Sequence, residues 1–249
     1  MIGGNGIRSA PGADTPGERG MAKLTYLGHS AFLLEADGHA VAIDPFLTGN
    51  PKASHAADDI SPEAILLTHA HGDHVGDTVT IAKRTGAKVV ATNELGIWLK
   101  EQGVEHAVSA NHGGTVAIPG GSVKLTPAWH TSAYHDGNGF VAVGVPAGLV
   151  VRLGGKTVYF AGDTALFGDM RLIGDEGLDV AVIPIGDHFT MGPADAVRAA
   201  EFLRAGTVVP CHYDTMPLIA QDAAAFARAV EEKTSSRCVP LEPGQSFEF

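Results

Sequence analysis

Directly after the apolar run Ala64-Ile65-Leu66-Leu67 comes Thr68-His69-Ala70-His71-Gly72-Asp73-His74, which places three imidazoles and one carboxylate within six residues. Imidazole and carboxylate without thiolate suit divalent metals of the zinc type. One tight loop cannot easily wrap four ligands around a single ion in a tetrahedron. The spacing therefore divides them, with His69 and His71 directed to one metal and Asp73 and His74 to a second. Two ions about 3.5–4 Å apart form a known hydrolytic device. Each ion still needs ligands from elsewhere, so the chain must fold in a way that brings distant strand ends to this loop.

Three residues stand at such ends. His130 follows a strand pattern over 122–128, Asp163 follows one over 157–161, and His212 follows one over 207–210. Loops at strand ends are where a rigid scaffold presents chemistry. Asp163 has two carboxylate oxygens and could bridge both ions.

The hydrophobic periodicity predicts further strands over 23–27, 31–35, 40–44, 64–68, 89–91, 107–109, 115–118, 140–145, 149–153 and 180–184. It predicts helices over 74–85, 93–102, 193–205 and 220–233, with Gly103 and Gly206 as stops. Ser61-Pro62-Glu63 reads as the start of a single helical turn. Two β-rich blocks with helices before, between and after them fit two sheets packed face to face with helices outside. This is an α+β, four-layer αβ/βα sandwich forming a single domain over 21–249. Residues 1–20 carry six glycines and almost no large apolar side chain, and read as a disordered leader or an expression scar.

Composition removes several classes of function. With 17 Lys plus Arg against 28 Asp plus Glu, the net charge is −11, and no basic cluster exists to hold nucleic acid phosphates. The longest apolar stretch, over 140–151, is interrupted by Gly144, Pro146 and Gly148, so no membrane span is expected. Two cysteines, Cys211 and Cys238, cannot build a disulfide framework and read as free buried thiols, which points to the cytoplasm.

The motif His69-X-His71-X-Asp73-His74 followed in order by His130, Asp163 and His212 resembles the metallo-β-lactamase superfamily. Tyr26-Leu-Gly-His-Ser30, Ile43-Asp-Pro-Phe46, Ala161-Gly-Asp-Thr164, Gly168-Asp-Met170, Pro184-Ile-Gly186, Phe189-Thr-Met-Gly192 and Cys211-His-Tyr213 narrow the resemblance. They are similar to stretches in bacterial metal-dependent hydrolases near ascorbate 6-phosphate lactonase. The resemblance implies that His69, His71 and His130 hold a first metal. It implies that Asp73, His74 and His212 hold a second, with Asp163 between them. The cofactor expected is two divalent ions per chain, zinc first, with manganese or nickel as alternatives.

Other residues acquire roles around that set. Asp44 is placed to accept the spare ring N–H of a ligand histidine. His29 and His188 lie in turns expected to face the cleft, where either orients substrate or stabilises developing negative charge. Asp73 is expected to orient the attacking water or take its proton. Cys211 departs from the larger apolar residue common in the relatives. On a strand it would point away from the face of His212 and pack in the core.

The expected reaction is metal-assisted hydrolysis of an ester, lactone, amide or phosphodiester in a small anionic substrate. The +4 charge of two ions would draw that substrate despite the acidic chain. The alternatives are a mononuclear iron oxidoreductase of sulfur dioxygenase type and a phosphodiesterase of the same fold. Neither a nucleic acid nor a membrane is expected as partner, and homo-oligomers are compatible with the sequence.

Overall fold

The computed structural model describes residues 20–135 and 137–249. The expected leader therefore lies, up to residue 19, outside the described residues. The strands are β1 Ala22–Gly28, β2 Ala31–Ala36, β3 His39–Ile43, β4 Ala64–Leu66, β5 Lys88–Thr92, β6 Ala107–Ala110, β7 Thr115–Ile118, β8 Gly121–Pro127, β9 Ala133–His135, β10 Phe140–Ala142, β11 Ala147–Leu153, β12 Lys156–Phe160, β13 Val180–Pro184, β14 Thr207–Cys211, β15 Arg237–Cys238 and β16 Ser246–Glu248. The helices are α1 Gly72–Val75, α2 Thr78–Thr85, α3 Asn93–Glu101, α4 Met170–Gly174, α5 Pro193–Leu203 and α6 Ala223–Lys233.

Two seven-stranded sheets form, in the orders β16-β1-β2-β3-β4-β5-β6 and β15-β14-β13-β12-β11-β8-β7. Each is antiparallel in one half and parallel in the other. The parallel halves are β3 to β6 in the first sheet and β12 to β15 in the second. The helices α1, α2 and α3 follow β4 and β5, and α4 and α5 follow β12 and β13, as parallel connections require.

Side-chain alternation assigns the layers. On β4, Ala64 and Leu66 face the space between the sheets, where they meet Phe32, Ile43, Leu149 and Phe160. Ile65 points the other way, into a cluster with Ile81, Leu95 and Leu99 of α2 and α3. The second sheet repeats the pattern. Val158 and Phe160 of β12 face inward, while Tyr159 faces a cluster with Ala196, Ala200 and Leu203 of α5. Each fully buried large apolar side chain contributes roughly 1.5–3 kcal/mol. The expected four-layer αβ/βα sandwich is the observed one.

Several local expectations are corrected. The helix expected over 74–85 is two helices, because the chain breaks at Gly76. This residue has φ 41°, and a Cβ there would lie 2.4 Å from Cα of Phe46. Ser61-Pro62-Glu63 is not helical, and a 3-10 turn at Ala57–Asp59 precedes it. The strand expected over 140–145 shortens to β10, which pairs with the unforeseen β9 as a separate ribbon. The short α4 was not expected. The helix after β13 stops at Leu203, with Arg204 in the left-handed region in place of Gly206. The last helix starts at Ala223, where the Asp222 carboxylate accepts the Ala225 N–H at 2.8 Å.

Candidate metal centre

The ends of β4, β8, β12 and β14 converge on one edge of the sandwich. From β4 the chain passes through Leu67 and Thr68 into the histidine loop, and α1 starts at Gly72 with His71 in extended conformation before it. Asp73 and His74 sit in the first turn of α1, with Oδ2 of Asp73 3.9 Å from Nε2 of His74, while His69 and His71 remain on the loop. From β12 the chain turns through Gly162, at φ 62°, to Asp163. A Cβ on Gly162 would lie 2.7 Å from the Thr68 side chain, so glycine allows the two sheet ends to meet.

The seven residues expected from the sequence come together in this structure. Ligand atoms of His69, His71 and His130 lie within 4.8 Å of one another, and so do those of Asp73, His74 and His212 together with His29. Nε2 of His69 is 2.9 Å from Nδ1 of His71. Asp163 stands between the groups: Oδ2 is 3.5 Å from Nε2 of His130 and 3.1 Å from Nε2 of His212, and Oδ1 is 3.3 Å from Nε2 of His74. Despite this crowding, Nε2 of His74 and Oδ1 of Asp163 are buried with no hydrogen-bond partner. A divalent cation would satisfy such a set of buried nitrogens and oxygens, so the residues fit the metal that the sequence implies.

The groups around the site hold the ring tautomers. Nδ1–H of His74 donates to Oδ2 of Asp44 at 2.7 Å, which frees Nε2 to face inward. Asp44 also accepts the Thr68 N–H at 2.8 Å and the Thr68 hydroxyl at 2.6 Å. The same Thr68 oxygen is 3.0 Å from Nδ1 of His69 and accepts the hydrogen bond from its N–H, leaving Nε2 of His69 with its lone pair facing inward. Asp44 thus lies against the ring nitrogen of His74 that faces away from the cluster.

His29 is fully buried and does not line an open cleft. Its Nε2 is 3.0 Å from Oδ2 of Asp73, and its Nδ1 is 2.8 Å from the Thr215 hydroxyl. Because the Asp73 carboxylate can only accept, Nε2–H donates to it and Thr215 donates to Nδ1. The backbone holds His29 at φ 60°, and its carbonyl accepts the His212 N–H at 2.8 Å. His188, at φ 47°, is exposed with its ring edge-on to Phe189 at 4.5 Å, outside the clustered ligand groups. Cys211 packs in the core between the sheets, as its strand position predicts, and burial pushes its thiol pKa up.

Sequence reasoning did not single out Thr68, Thr215 or Ser132. Thr68 adjoins His69 two residues past the end of β4, a position that could have marked it. Thr215 and Ser132 have no local signal, since their partners, His29 and the Ala70 N–H, are far away in sequence.

Electrostatics divide the cluster. Burial, with neighbouring imidazoles adding to it, lowers the pKa values of His69, His71 and His130. Burial also opposes a charge on His74, but Asp163, Asp44 and Asp73 together outweigh it and hold His74 well above the ordinary histidine value. For Asp163, His212 and His74 overcome the burial penalty and keep the carboxyl well below its usual range. His74 and His29 do the same for Asp73.

Comparison with known proteins agrees with the fold. Residues 39–213 match the model of the beta-lactamase superfamily domain. The chain is 52% identical to a UPF0173 metal-dependent hydrolase of Thermus thermophilus over 213 residues, covering 86% of this chain and 93% of that protein. It is 46% identical to a UPF0173 metal-dependent hydrolase of Methanopyrus kandleri, covering 91% and 99%. Among solved structures, a metallo hydrolase from the archaeon Ignicoccus hospitalis superposes with a TM-score of 0.84 at 40% identity, covering 92% of this chain and 98% of that one. The chain therefore belongs to the beta-lactamase superfamily and, within it, to the family of UPF0173 metal-dependent hydrolases.

Proposed function

We propose that the protein hydrolyses an ester, lactone, amide or phosphodiester at a site for two divalent cations. His69, His71 and His130 would hold one, Asp73, His74 and His212 the other, with Asp163 between them. The observation that carries this reading is the position of Asp163, approached by ring nitrogens of both groups while its Oδ1 and Nε2 of His74 lie buried without hydrogen-bond partners. The bound metals would supply Lewis acidity and a water of lowered pKa.

The chain's own residues supply orientation and proton handling. Asp44 and Thr68 lock His74 and His69 with their Nε2 atoms inward. His29, itself held by Thr215, fixes Oδ2 of Asp73. Asp73 is about one-third exposed, so it is the carboxylate of the set that can reach solvent and receive a proton from the attacking water. His188 stands on the loop 186–192, which is tied to the residue after Asp163 through the Met191 N–H and the Thr164 carbonyl, 3.1 Å apart. From there it can donate to negative charge developing on the substrate.

Elemental analysis of protein purified without added metal tests the reading. Zinc, manganese or nickel at two per chain is expected, together with turnover on a panel of generic esters, lactones and phosphodiesters. One iron per chain, with no turnover on the panel, would exclude it. His188→Ala should keep both metals and lose about 10²-fold in turnover, as removal of one such donor does.

A further inference from the structure

The described residues expose ten large apolar side chains, and their distribution is uneven. Met21, Ile97 and Leu172 lie elsewhere, while the other seven fall in the three loops 129–145, 186–192 and 212–219. These loops carry His130, His188 and His212. Trp129, Phe140 and Leu218 are 66%, 78% and 61% exposed, and Phe189 and Met216 are also open to solvent.

Hydrogen bonds gather these loops around the metal ligands. The Trp129 N–H donates to Oγ1 of Thr164 at 2.9 Å, and the Met191 N–H donates to the Thr164 carbonyl. Trp129 and Phe189 therefore rise on loops that share one anchor, the residue after Asp163. Nε2–H of Gln221 donates to the Gly186 carbonyl at 3.2 Å, joining the end of the third loop to the second.

Charge on the same loops is one-sided. None of the three carries Lys or Arg, nor does the histidine loop over 69–77, whereas Asp187 and Asp214 add negative charge. A substrate with several phosphates or carboxylates would find no Lys or Arg on these four segments, and the lysine beside them, Lys52, lines a cavity with Tyr213 and the Asp214 carboxylate. Single exposed apolar residues are ordinary on a protein surface, but seven of ten on the segments that carry His130, His188 and His212, with Trp129 and Phe189 anchored to the same Thr164, point to a binding face.

We infer that these loops form an apolar rim that holds the body of the substrate, so that the substrate is amphiphilic, with one hydrolysable polar end at the metals and an alkyl or aryl portion against Trp129 and Phe189. The inference rests on the metal-site reading above and deepens it.

Binding of n-alkyl hydroxamates to the metal-loaded protein tests it, with acetohydroxamate and octanohydroxamate as probes and calorimetry as readout. Each buried methylene strengthens binding up to about fourfold. Octanohydroxamate should bind at least tenfold tighter than acetohydroxamate. In Trp129→Ala and in Phe189→Ala, each at an exposed position, the two affinities should converge while metal content stays full. Equal affinities in the wild type, or a preference that survives in the double variant, would overturn the inference. If the metals bind but neither probe does, the rim also fails; if the metals themselves are absent, it is the metal-site reading that fails. Sedimentation of the wild type covers the competing occupant: a dimer that Trp129→Ala dissociates assigns this face to a second copy of the chain and refutes the inference.

Discussion

His69, His71 and His130 have no carboxylate within their own group, and burial drives all three toward the neutral form. Asp73, His74 and His212 include a carboxylate, and His74 also touches Asp44 and Asp163. The first group is a nest of neutral rings, two of them only half-buried. In the second, the Asp44 and Asp163 carboxylates face the buried His74 ring from two sides. The difference shows how one short loop can serve two purposes. Its first half offers neutral nitrogens. Its second half, at the start of α1, enters a carboxylate field that raises the His74 pKa well above the ordinary histidine value.

The largest expected effect follows from that field. His74→Ala would remove the imidazole that stands between the Asp44 and Asp163 carboxylates, and breaking such a buried pair costs about 3–5 kcal/mol. Metal at the second group should be lost and the metal-free protein should melt many degrees lower. His130→Ala should remove metal from the first group with a much smaller fall in melting temperature, because its ring is partly exposed. Equal destabilisation by the two substitutions, measured on metal-free protein, would erase the contrast.

Asp44→Asn sharpens the comparison at intermediate size. It keeps a similar shape but removes the charge that accepts from Nδ1 of His74. Metal affinity at the second group should fall about 10–100-fold, as replacement of such outer partners does, with the first group little changed. Competition with a chelator would measure both affinities.

The two groups should also respond to pH in opposite senses when metal is absent. A histidine whose folded pKa is raised contributes stability that is present below its unfolded value, about 6.5, and is lost as pH rises through the folded value. His74 behaves this way. Histidines with lowered folded values stay neutral in the native state, so stability falls as pH drops below about 6.5. His69, His71 and His130 belong to this set. Imidazole titration by NMR on metal-free protein should find His74 losing its proton well above, and His69 well below, the ordinary histidine value, and the reverse order would refute the division.

How much of this was legible in the sequence depended on distance along the chain. The loop over 69–74 was readable because its ligands are adjacent and its flanks change from strand to helix. His130, Asp163 and His212 were readable because each follows a strand, and the layers followed from two β-rich blocks with helices before, between and after them. What escaped was decided by remote backbone. The break at Gly76 exists because Pro45 and Phe46 pass against it, which no residue of the helical pattern announces. The β9–β10 ribbon has only three residues per strand, too few for a period. His29 was expected at an open cleft, yet Thr215, 186 residues away, and Asp73 close over it from opposite sides.

That closure supports the smallest of the predictions. Thr215→Val removes the donor to Nδ1 of His29 while keeping the side chain's volume. The ring is then free to carry its proton on either nitrogen, and the form protonated on Nδ1 cannot donate to Asp73. Loss of one neutral hydrogen bond is worth about 0.5–1.5 kcal/mol, so turnover on any substrate the wild type accepts should fall no more than about tenfold. The effect should lie in kcat, because His29 reaches the substrate only through Asp73. Both metals should remain, since Thr215 touches no ligand of the first group and reaches the second only through His29. Thr215→Ser, which restores the hydroxyl, should recover most of the rate. A Thr215→Val protein with wild-type kcat would show that packing alone orients His29, and loss of metal from it would make His29 part of the ligand set itself.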